Sequence, residues 1–446
     1  MFSKVKGTRD LNICETTFKD YNLNLIKDIL NEYGFQRVET PIIEHSELFK
    51  RSVEGSDLVN KEMYDFVDKG NREITLRPEG TASFVRAYVE NKWFANNMHQ
   101  KFYYYGPMFR YEQPQKGRYR QFDQLGVEFV GDKNPYKDAD VIALGNLILN
   151  EVELKNFRLE INSVGDEESR RKYQQALQEY FKDFYNELSE TSKKRFDQGN
   201  CLRILDDKED SQKPFMQNVP QLKDYLSEAS RQYFNDLLAI LDEKDIKYVV
   251  SNKLVRGLDY YDEIVFEFIA IDKNAGSQNA VIGGGRYSRL INQLGGPELS
   301  SVGFGLGIDR LLSILYDNNN SIQEQSKKAT EDYFVYVAFS NDKLALRNFF
   351  IILDALRQEF GWLRFYFEYD LVKSKKVLDR ANKVNARFLI TDNQEGLIYV
   401  KDLQNKNSNI HNEFIDPQTL EFEEDMLEHL SEIFEEEYQK LQGELE

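Results

Sequence analysis

The chain contains few of the residues that build disulfide frameworks or metal sites. Its 446 residues include two cysteines, Cys14 and Cys201, and four histidines. Two cysteines are too few for a disulfide framework or a cysteine zinc site, and the histidines show no metal-ligand spacing. These absences exclude a disulfide-rich secreted protein and predict a protein of a reducing compartment.

Long apolar runs are also absent. The mean hydropathy is -0.61, and no stretch of the sequence has the length and apolar composition of a membrane span. The first residues, MFSKVKGTRD, carry neither an apolar signal region nor the Arg/Ser-rich pattern of a transit peptide. The sequence therefore predicts a soluble, cytoplasmic protein with no membrane partner.

The charge is strongly negative, and its distribution matters for the kind of partner. The net charge is -18 at pH 7, which opposes nucleic-acid binding. Residues 421–446 contain eleven acidic residues and one lysine, so ten of the net negative charges belong to this tail. Phosphate binding needs a local basic surface and not a basic chain. The acidic composition therefore does not exclude an RNA substrate.

Changes in sequence pattern divide the chain. Charged, helix-periodic residues fill 167–199 and 220–243, which predicts a helical insertion at about 167–247. Residues 317–332 are polar and aperiodic, and strand and helix patterns alternate after them. We therefore expect a domain at 1–322, a linker at 323–332, an α/β domain at 333–416 and an acidic C-terminal helix at 417–446.

The most informative segment is FRYEQPQKGRYRQFDQLGVEFVG, residues 109–131. Two aromatic-rich β runs flank a turn-rich loop, which predicts a long hairpin. Alternate residues of a strand share a face, which places Arg110 with Glu112 and Gln124 with Glu128. Such groups are costly to bury unless they bind something polar and charged, and a nucleotide phosphate with a zwitterionic small molecule would suit them. An exposed hairpin with solvated charges is the alternative.

Two further segments could carry chemistry. In LRPEGTASFVRAYV (76–89), Glu79 and Thr81 stand at a strand-to-helix turn. There they could bind an ammonium group or only cap the helix. In LVRGLDYYDEIVFEF (254–268), Arg256 precedes a pair of tyrosines, and an ordinary strand with a solvated arginine is the alternative.

Glycines precede an arginine in both AVIGGGRYSRLINQLGG (280–296) and SVGFGLGIDRLLSIL (301–315). Glycine-rich turns let the backbone approach a nucleotide closely, although glycines also permit helix–strand packing. The pattern G-x-x-x-x-G-K-[ST] is absent from the sequence, which excludes a P-loop.

Together these segments resemble the class II aminoacyl-tRNA synthetases, and within them the histidyl family. The hairpin is similar to the second signature motif, residues 301–315 resemble the third, and residues 254–268 resemble the histidine-specific arginine motif. GFQRVETPIIEHSELF (34–49) resembles the first motif, which builds the dimer interface; an edge strand capped by Pro41 is the local alternative. The resemblance covers nearly the whole chain.

The resemblance implies a fold and a reaction. The expected fold is an α+β class II synthetase antiparallel-sheet catalytic domain with a helical insertion, plus a C-terminal α/β anticodon-binding domain. The expected enzyme is an ATP-dependent ligase that converts L-histidine to histidyl-adenylate and transfers it to the 3′ end of histidine tRNA, releasing AMP and pyrophosphate. The resemblance also implies a cytoplasmic homodimer that uses Mg²⁺ with ATP and does not bind DNA. No magnesium ligand can be assigned from the sequence.

The resemblance further implies roles for particular residues. The expected catalytic residues are Arg256 and Arg110, which would hold the histidine carboxylate and the α-phosphate in line. The expected histidine-binding residues are Glu79, Gly80, Thr81, Arg110, Gln124, Glu128, Arg256, Tyr260 and Tyr261. The expected ATP-binding residues are Arg110, Glu112, Arg118, Phe122 and Arg310. The expected contacts to the tRNA acceptor end are Gln115 and Arg120.

Four positions depart from the family pattern: Gln113, Asp123, Asp262 and Glu263. Two other classes of function compete with the ligase. One is a non-catalytic regulatory paralogue that binds histidine, and the other is an RNA-binding scaffold of the same fold. The retained arginines and the C-terminal domain favour the ligase.

Overall fold

The computed structural model describes residues 2–52, 62–95, 100–113, 117–205, 207, 209–252, 254, 260–271, 279–318, 334–403, 414–419 and 421–443. The expected linker at 323–332 lies outside these residues. The chain forms two compact units. The first contains Met1–Asp10 and Lys19–Asn319, and the second contains Leu11–Phe18 and Asn320–Glu446.

Two sheets organise the first unit. Its strands are β1 (Gln36–Arg37), β2 (Ile43–His45), β3 (Tyr64–Val67), β4 (Glu73–Leu76), β5 (Gln100–Phe109), β6 (Gln121–Gly131), β7 (Phe157–Gly165), β8 (Tyr248–Val250), β9 (Asp262–Ala270), β10 (Ala280–Tyr287) and β11 (Ser300–Gly307). In the part of the chain that the structure describes, the larger sheet has the order β1-β5-β6-β11-β10-β9-β7-β8, and the smaller has the order β2-β4-β3. The larger sheet is antiparallel from β5 to β7 and parallel at its two edges. The predicted antiparallel-sheet domain is confirmed.

Among the described residues before 320, the α-helices are α1 (Ile13–Glu32), α2 (Ser46–Ser52), α3 (Thr81–Glu90), α4 (Pro135–Glu151), α5 (Glu167–Asp183), α6 (Glu190–Asp197), α7 (Glu228–Glu243), α8 (Leu290–Gln293) and α9 (Ile308–Asn318). Helices α5, α6 and α7 lie between β7 and β8, so the predicted helical insertion is confirmed. Each begins at a polar cap, because Asp166, Ser189 and Ser227 accept hydrogen bonds from backbone N–H groups of the first turn.

The hairpin predicted from residues 109–131 is the β5–β6 pair. Its register runs from Gln100 opposite Val130 to Phe109 opposite Gln121. On the other side of β6, strand β11 places Gly303 opposite Glu128. The glycines that precede Arg286 and Arg310, at 283–285 and at 303, 305 and 307, lie within strands β10 and β11 and not in turns.

Aromatic packing fixes the start of α3 against the hairpin. Phe84 and Tyr88 of α3 are fully buried, and their ring centroids lie 5.4 and 6.0 Å from the ring of Phe102 on β5. Edge-to-face and tilted arrangements of this kind add to the stabilisation from apolar burial. The packing holds Thr81, the first residue of α3, beside the β5–β6 pair.

The second unit has the predicted α/β pattern. Its elements are β12 (Phe334–Val337), α10 (Lys343–Glu359), β13 (Arg364–Phe367), α11 (Ser374–Lys383), β14 (Phe388–Asp392), β15 (Ile398–Asp402) and α12 (Phe422–Gly443). The sheet order is β13-β12-β14-β15, with β15 antiparallel to its neighbour and the other pairs parallel. Met426, Leu430 and Phe434 of the acidic helix α12 are buried in this unit's core, at the helical spacing that the sequence shows.

Candidate active site

A pocket of about 870 Å³ lies in the first unit, at strands β6, β9, β10 and β11 and the hairpin loop. The pocket brings together most of the site residues predicted from the sequence. The predicted residues that line it are Glu79, Thr81, Arg110, Glu112, Arg118, Phe122, Gln124, Tyr260, Tyr261 and Arg310. Arg256 and Gln115 lie outside the described residues. Segments more than 200 residues apart in sequence therefore share one cavity.

Three arginines give one part of this pocket its positive charge. Arg110 follows the end of β5, Arg118 lies in the hairpin loop, and Arg310 lies in the first turn of α9. Burial lowers the pKa of Arg310, and the charges of Arg118 and Arg110 lower it further. Burial also lowers the pKa of Arg118, with a further contribution from Arg110. Mutual repulsion of this kind is relieved when an anion binds between the cations.

Contacts within the protein fix these arginines before any ligand is present. Arg310 Nη1 donates a hydrogen bond to the carbonyl oxygen of Ala280 at 2.6 Å. Arg110 Nε donates to the carbonyl oxygen of Pro78 at 2.8 Å, and its guanidinium carbon lies 5.2 Å from the centroid of the Phe122 ring. That distance is within the range of a cation–π contact. The positive charge is therefore preorganised.

Glu112 provides the negative charge beside these cations. Its carboxylate is buried and forms an ion pair with Arg118 across the hairpin loop. Arg120 Nε donates to the backbone carbonyl of Glu112 at 3.2 Å, and the Arg120 guanidinium carbon lies 3.9 Å from the Tyr111 ring centroid. Among the described residues Arg120 does not line the pocket; its contacts hold the hairpin loop.

Glu79 has the capping role that the sequence left open as an alternative. Its carboxylate accepts hydrogen bonds from the backbone N–H groups of Thr81 (2.6 Å) and Ala82 (2.8 Å), at the start of α3. Burial raises the pKa of Glu79, and the two backbone donors oppose that shift. The side chain also lines the pocket, so capping leaves a carboxylate at the cavity wall.

Gly80 allows an aromatic ring to pack closely against the backbone next to the pocket. A Cβ atom at this position would lie 2.0 Å from the ring of Tyr104, which is closer than any real contact. Gly80 is not among the described residues that line the pocket. Its missing side chain allows the Tyr104 ring to approach the start of α3.

Glu128 lies behind the pocket wall and is surrounded by hydroxyl groups. It is 1% exposed, and it accepts hydrogen bonds from Thr81 Oγ1 (3.0 Å), Tyr104 OH (3.2 Å) and Tyr287 OH (2.7 Å). Burial raises the pKa of its carboxyl to about 8, and the hydroxyl donors oppose the shift. Sequence reasoning identified neither Tyr104 nor Tyr287, although the run FYYYG and the Tyr287 that follows GGGR both showed aromatic strand residues.

The two tyrosines predicted as a pair form one wall of the cavity. The ring centroids of Tyr260 and Tyr261 are 4.7 Å apart, and the Tyr260 ring meets that of Tyr287 edge-on at 5.7 Å. Both side chains are buried, yet both reach the pocket. Tyr287 of this cluster donates to Glu128, and Tyr260 shares a hydrogen bond with Thr81, so the wall adjoins the Glu128 carboxyl and the Thr81 hydroxyl.

Two aspartates line the pocket without having been predicted to do so. Asp123 forms an ion pair with Lys19 and accepts a hydrogen bond from Tyr105 OH at 3.0 Å. Asp309 accepts from Arg9 Nη2 at 2.5 Å. The side chains that bind these two aspartates come from the N-terminal part of the chain and from β5. No local sequence pattern links them to the aspartates.

The departures at Asp262 and Glu263 are away from the pocket. Asp262 accepts hydrogen bonds from the backbone N–H and the hydroxyl of Ser288, both at 2.9 Å. Glu263 is buried and forms an ion pair with Lys133. Neither is among the described residues that line the pocket. The fourth departure, Gln113, is exposed in the hairpin loop.

The described residues contain no group of three or more His, Cys, Asp or Glu side chains that could hold a metal ion. No helix among them is long and apolar enough to cross a membrane.

Comparison with known proteins gives the family that the sequence motifs resemble. The family model described as histidyl-tRNA synthetase matches residues 7–311. The histidine–tRNA ligase of Ureaplasma urealyticum is 43% identical over 392 residues, covering 87% of this chain and 91% of the relative. That of Lactococcus lactis is 41% identical over 412 residues, covering 90% and 93%. The crystal structure of the apo S. aureus histidyl-tRNA synthetase has a TM-score of 0.75 and 32% identity, covering 95% of this chain and all of that one.

The antiparallel sheet, its helical insertion, the arginine-rich pocket and the C-terminal α/β unit define a class II aminoacyl-tRNA synthetase. Within that class, the family match covers more than half of the chain, and the relatives match it over most of their length. The chain belongs to the histidyl-tRNA synthetase family.

Proposed function

We propose that the chain activates L-histidine with ATP and transfers the histidyl group to the 3′ end of histidine tRNA. Membership of the family makes the chain an ATP-dependent aminoacyl-tRNA ligase. One observation of the structure supports this reaction most directly. Arg110, Arg118 and Arg310 share a pocket with the Tyr260–Tyr261 pair, so an anion site adjoins an aromatic slot.

The first step forms a bond between a histidine carboxylate oxygen and the α-phosphorus of ATP, and pyrophosphate leaves. In the second step the terminal ribose hydroxyl of the tRNA attacks the histidyl carbonyl carbon, and AMP leaves. Neither step needs a covalent bond to the protein, so positioning and charge stabilisation supply the catalysis. In the proposal Arg110 and Arg256 hold the carboxylate and the α-phosphate in line.

ATP is the substrate that suits the cationic part of the pocket. Phe122 stacks on the adenine, and Glu112 accepts from its amino group. Arg118 and Arg310 bind the γ-phosphate, for which a planar, permanently charged guanidinium is suited. Glu112 and Arg118 form an ion pair with each other when no ATP is bound. ATP binding breaks this ion pair, and Glu112 then contacts the adenine while Arg118 contacts the γ-phosphate.

Histidine is proposed to bind at the tyrosine wall. Glu79 and Thr81 bind the α-ammonium group, and Gln124 lies beside it. The imidazole enters the slot of Tyr260 and Tyr261, where its two nitrogens need one acceptor and one donor. Glu128 is the proposed acceptor. Since three hydroxyls already donate to Glu128, one of them must give up its hydrogen bond when the imidazole N–H arrives.

Magnesium is proposed to enter with ATP. Mg²⁺ commonly uses one or two carboxylates together with substrate phosphates and water, and it does not require a protein cage. The pocket wall includes Glu267 and Asp309 as separate carboxylates, which fits an ion held mainly by the nucleotide. The bound ion would neutralise charge on the phosphates.

Three further parts of the proposal concern assembly, location and tRNA. A homodimer is supported by the small β2-β4-β3 sheet, where Ile43, Phe66 and Val67 are exposed within and beside the segment that resembles the first motif. A cytoplasmic location is supported by the two cysteines, both of which are free. The hairpin loop is proposed to contact the tRNA acceptor end through Gln115 and Arg120.

The two rival functions predict different behaviour in one assay, the histidine-dependent exchange of pyrophosphate into ATP. A ligase exchanges pyrophosphate when histidine is present, whereas a regulatory paralogue or an RNA scaffold does not catalyse the exchange.

Arg256→Ala should lower the exchange rate by about 10²–10³ while the fold is retained, since one preorganised charge contact at the reacting phosphate is lost. Near-normal exchange by this variant would overturn the role of Arg256, and absence of exchange in the unmodified chain would overturn the proposed function.

A further inference from the structure

The helical insertion contacts the backbone of the tyrosine wall through one side chain. Arg170 lies in the first turn of α5, and its Nη1 donates a hydrogen bond to the carbonyl oxygen of Tyr261 at 3.0 Å. The two residues are 91 positions apart in sequence. Arg170 is half-buried, and the Tyr261 side chain lines the pocket. A guanidinium-to-carbonyl bond of this kind is charge-assisted and stronger than a neutral one.

A second contact holds the other end of the same segment. Asn162 is buried on β7, the strand that precedes α5, and its Nδ2 donates to the carbonyl oxygen of Leu254 at 3.0 Å. Leu254 and Tyr260 are the described residues on either side of 255–259, and Tyr261 follows Tyr260. Consecutive elements, β7 and α5, therefore hold the backbone at two positions of the histidine-specific motif, Leu254 and Tyr261.

The start of α5 is itself firmly held. Asp166 caps the helix and accepts from the backbone N–H and the hydroxyl of Ser169, at 2.8 and 2.6 Å. Its other oxygen accepts from Ser227 Oγ at 2.7 Å, and Ser227 is the cap of α7. The hydrogen bond between Asp166 and Ser227 thus joins the caps of two helices of the insertion near Arg170. A displacement of either helix start would reach the Tyr261 carbonyl through Arg170.

We propose that Arg170 is a positioning residue for histidine, which fixes the Tyr261 backbone and so couples the helical insertion to amino-acid selection. The inference rests on the proposed function in placing the imidazole at the Tyr260–Tyr261 wall. The cationic part of the pocket is built by other elements, since Arg110 and Arg118 belong to the hairpin and Arg310 to α9. Loss of the Arg170 contact therefore affects histidine and not ATP.

The variant Arg170→Ala tests this directly, because alanine favours the helix and removes the guanidinium that bonds to the Tyr261 carbonyl. In pyrophosphate exchange, we expect the KM for histidine to rise about tenfold, as for the loss of one charge-assisted hydrogen bond. The KM for ATP should stay within about twofold of the unmodified value. Arg170→Lys retains a donor on a flexible stem and should give an intermediate KM for histidine.

Arg171→Ala is the matched control, since Arg171 is an exposed arginine at the next position of the same helix. It removes the same charge and should leave both KM values unchanged. If Arg170→Ala and Arg171→Ala give the same KM for histidine, the positioning role is refuted. If Arg170→Ala raises both KM values in proportion and lowers the melting temperature, the contact only stabilises the fold and the proposal fails.

A calorimetric titration with histidine separates this inference from the proposed function. If the unmodified chain binds histidine without exchanging pyrophosphate, the proposed function fails. A weaker affinity of Arg170→Ala for histidine then still supports the positioning role, and an equal affinity refutes it. If the unmodified chain does not bind histidine at all, both proposals are overturned.

Discussion

Replacing Glu128 with glutamine should stabilise the first unit, and the gain should be larger at pH 8 than at pH 5. The carboxyl is 1% exposed and lies behind the pocket wall. Burial raises its pKa from the ordinary value of 4.5 to about 8, and the hydroxyl of Tyr287 is the leading group that opposes the shift. Glutamine has nearly the same shape and stays neutral at every pH, so it imitates the protonated acid.

The sign of the effect follows from proton linkage. Because the folded chain holds this proton more tightly than the unfolded chain, the stabilisation is complete below pH 4.5 and is lost as the pH rises towards 8. Between pH 5 and pH 8 this group alone should lower the free energy of unfolding by about 3 kcal/mol. Glutamine does not lose a proton over that range. The variant should therefore gain about that much relative to the unmodified chain between the two pH values.

The assay must report on the first unit alone, and the tryptophans allow this. The chain has two, of which Trp93 belongs to the first unit and Trp362 to the second. In a Trp362→Phe background, urea unfolding followed by tryptophan fluorescence reports the environment of Trp93. Trp93 packs on Phe102 at a ring-centroid distance of 5.6 Å, so unfolding of the sheet should change its emission.

Comparison of Glu128→Gln with its parent at each pH cancels the titration of all other groups. Glu243→Gln, at an exposed position of α7, is the matched control and should not show a pH-dependent gain. An equal change at pH 5 and pH 8 for Glu128→Gln would show that the Glu128 carboxyl does not titrate as a buried acid. Above pH 8 the same variant should bind histidine more weakly, because the carboxyl of the unmodified chain is then ionised and an amide cannot give the imidazole N–H a charged acceptor.

Three other substitutions test separate parts of the structure. Arg310→Ala should raise the KM for ATP in pyrophosphate exchange at least tenfold and leave the KM for histidine unchanged, because a preorganised cation of the phosphate site is lost; a larger effect on histidine would contradict that assignment. Asp138→Asn should lower the free energy of unfolding by about 3–5 kcal/mol in urea titration, since it breaks a fully buried ion pair with Arg286. A loss below about 1 kcal/mol would contradict the role of the pair. Gly303→Ala should lower both stability and histidine affinity, because a Cβ there would lie 2.2 Å from the Val127 carbonyl oxygen and 2.3 Å from a Glu128 oxygen. Gly307→Ala on the same strand meets nothing closer than 3.7 Å and is the stability control, so equal losses in the two would refute the steric explanation.

Sequence reasoning was most successful where the periodicity of a strand or helix determines which way a side chain points. Gln124 was assigned to the site from strand alternation, and it lines the pocket from β6. Arg110 and Glu112 were assigned in the same way and also line the pocket, but from the loop after β5. Strand alternation has a period of two whatever lies around the strand. The helical insertion was also predictable, because charged residues at helical spacing indicate helices in any context.

The environment of Glu128 could not be predicted in the same way. Its hydroxyl partners Tyr104 and Tyr287 lie 24 and 159 positions away, and only the pairing of β5, β6, β11 and β10 brings them together. A local pattern cannot specify such a cluster. One sequence feature did indicate close packing on this strand. Glycines at 303, 305 and 307 alternate with large apolar residues along β11, so one face of the strand has no side chains there.

The departures from the family pattern are compensated where they occur. Glu263 pairs with Lys133, and Asp262 interacts with the charge of Arg286 in addition to its hydrogen bonds with Ser288. These acidic side chains therefore add little net charge to the buried region behind the sheet, which also explains why they can be buried at all.

Asp123 is the departure that reaches the pocket, where an added carboxylate could repel phosphate. Its ion pair with Lys19 and its hydrogen bond from Tyr105 OH neutralise and orient that charge. Asp309 is matched by Arg9 in the same way. Glu112 is paired with Arg118 in turn. The placement of the three arginines in the pocket, and not the net charge of the whole chain, determines where an anionic substrate can bind.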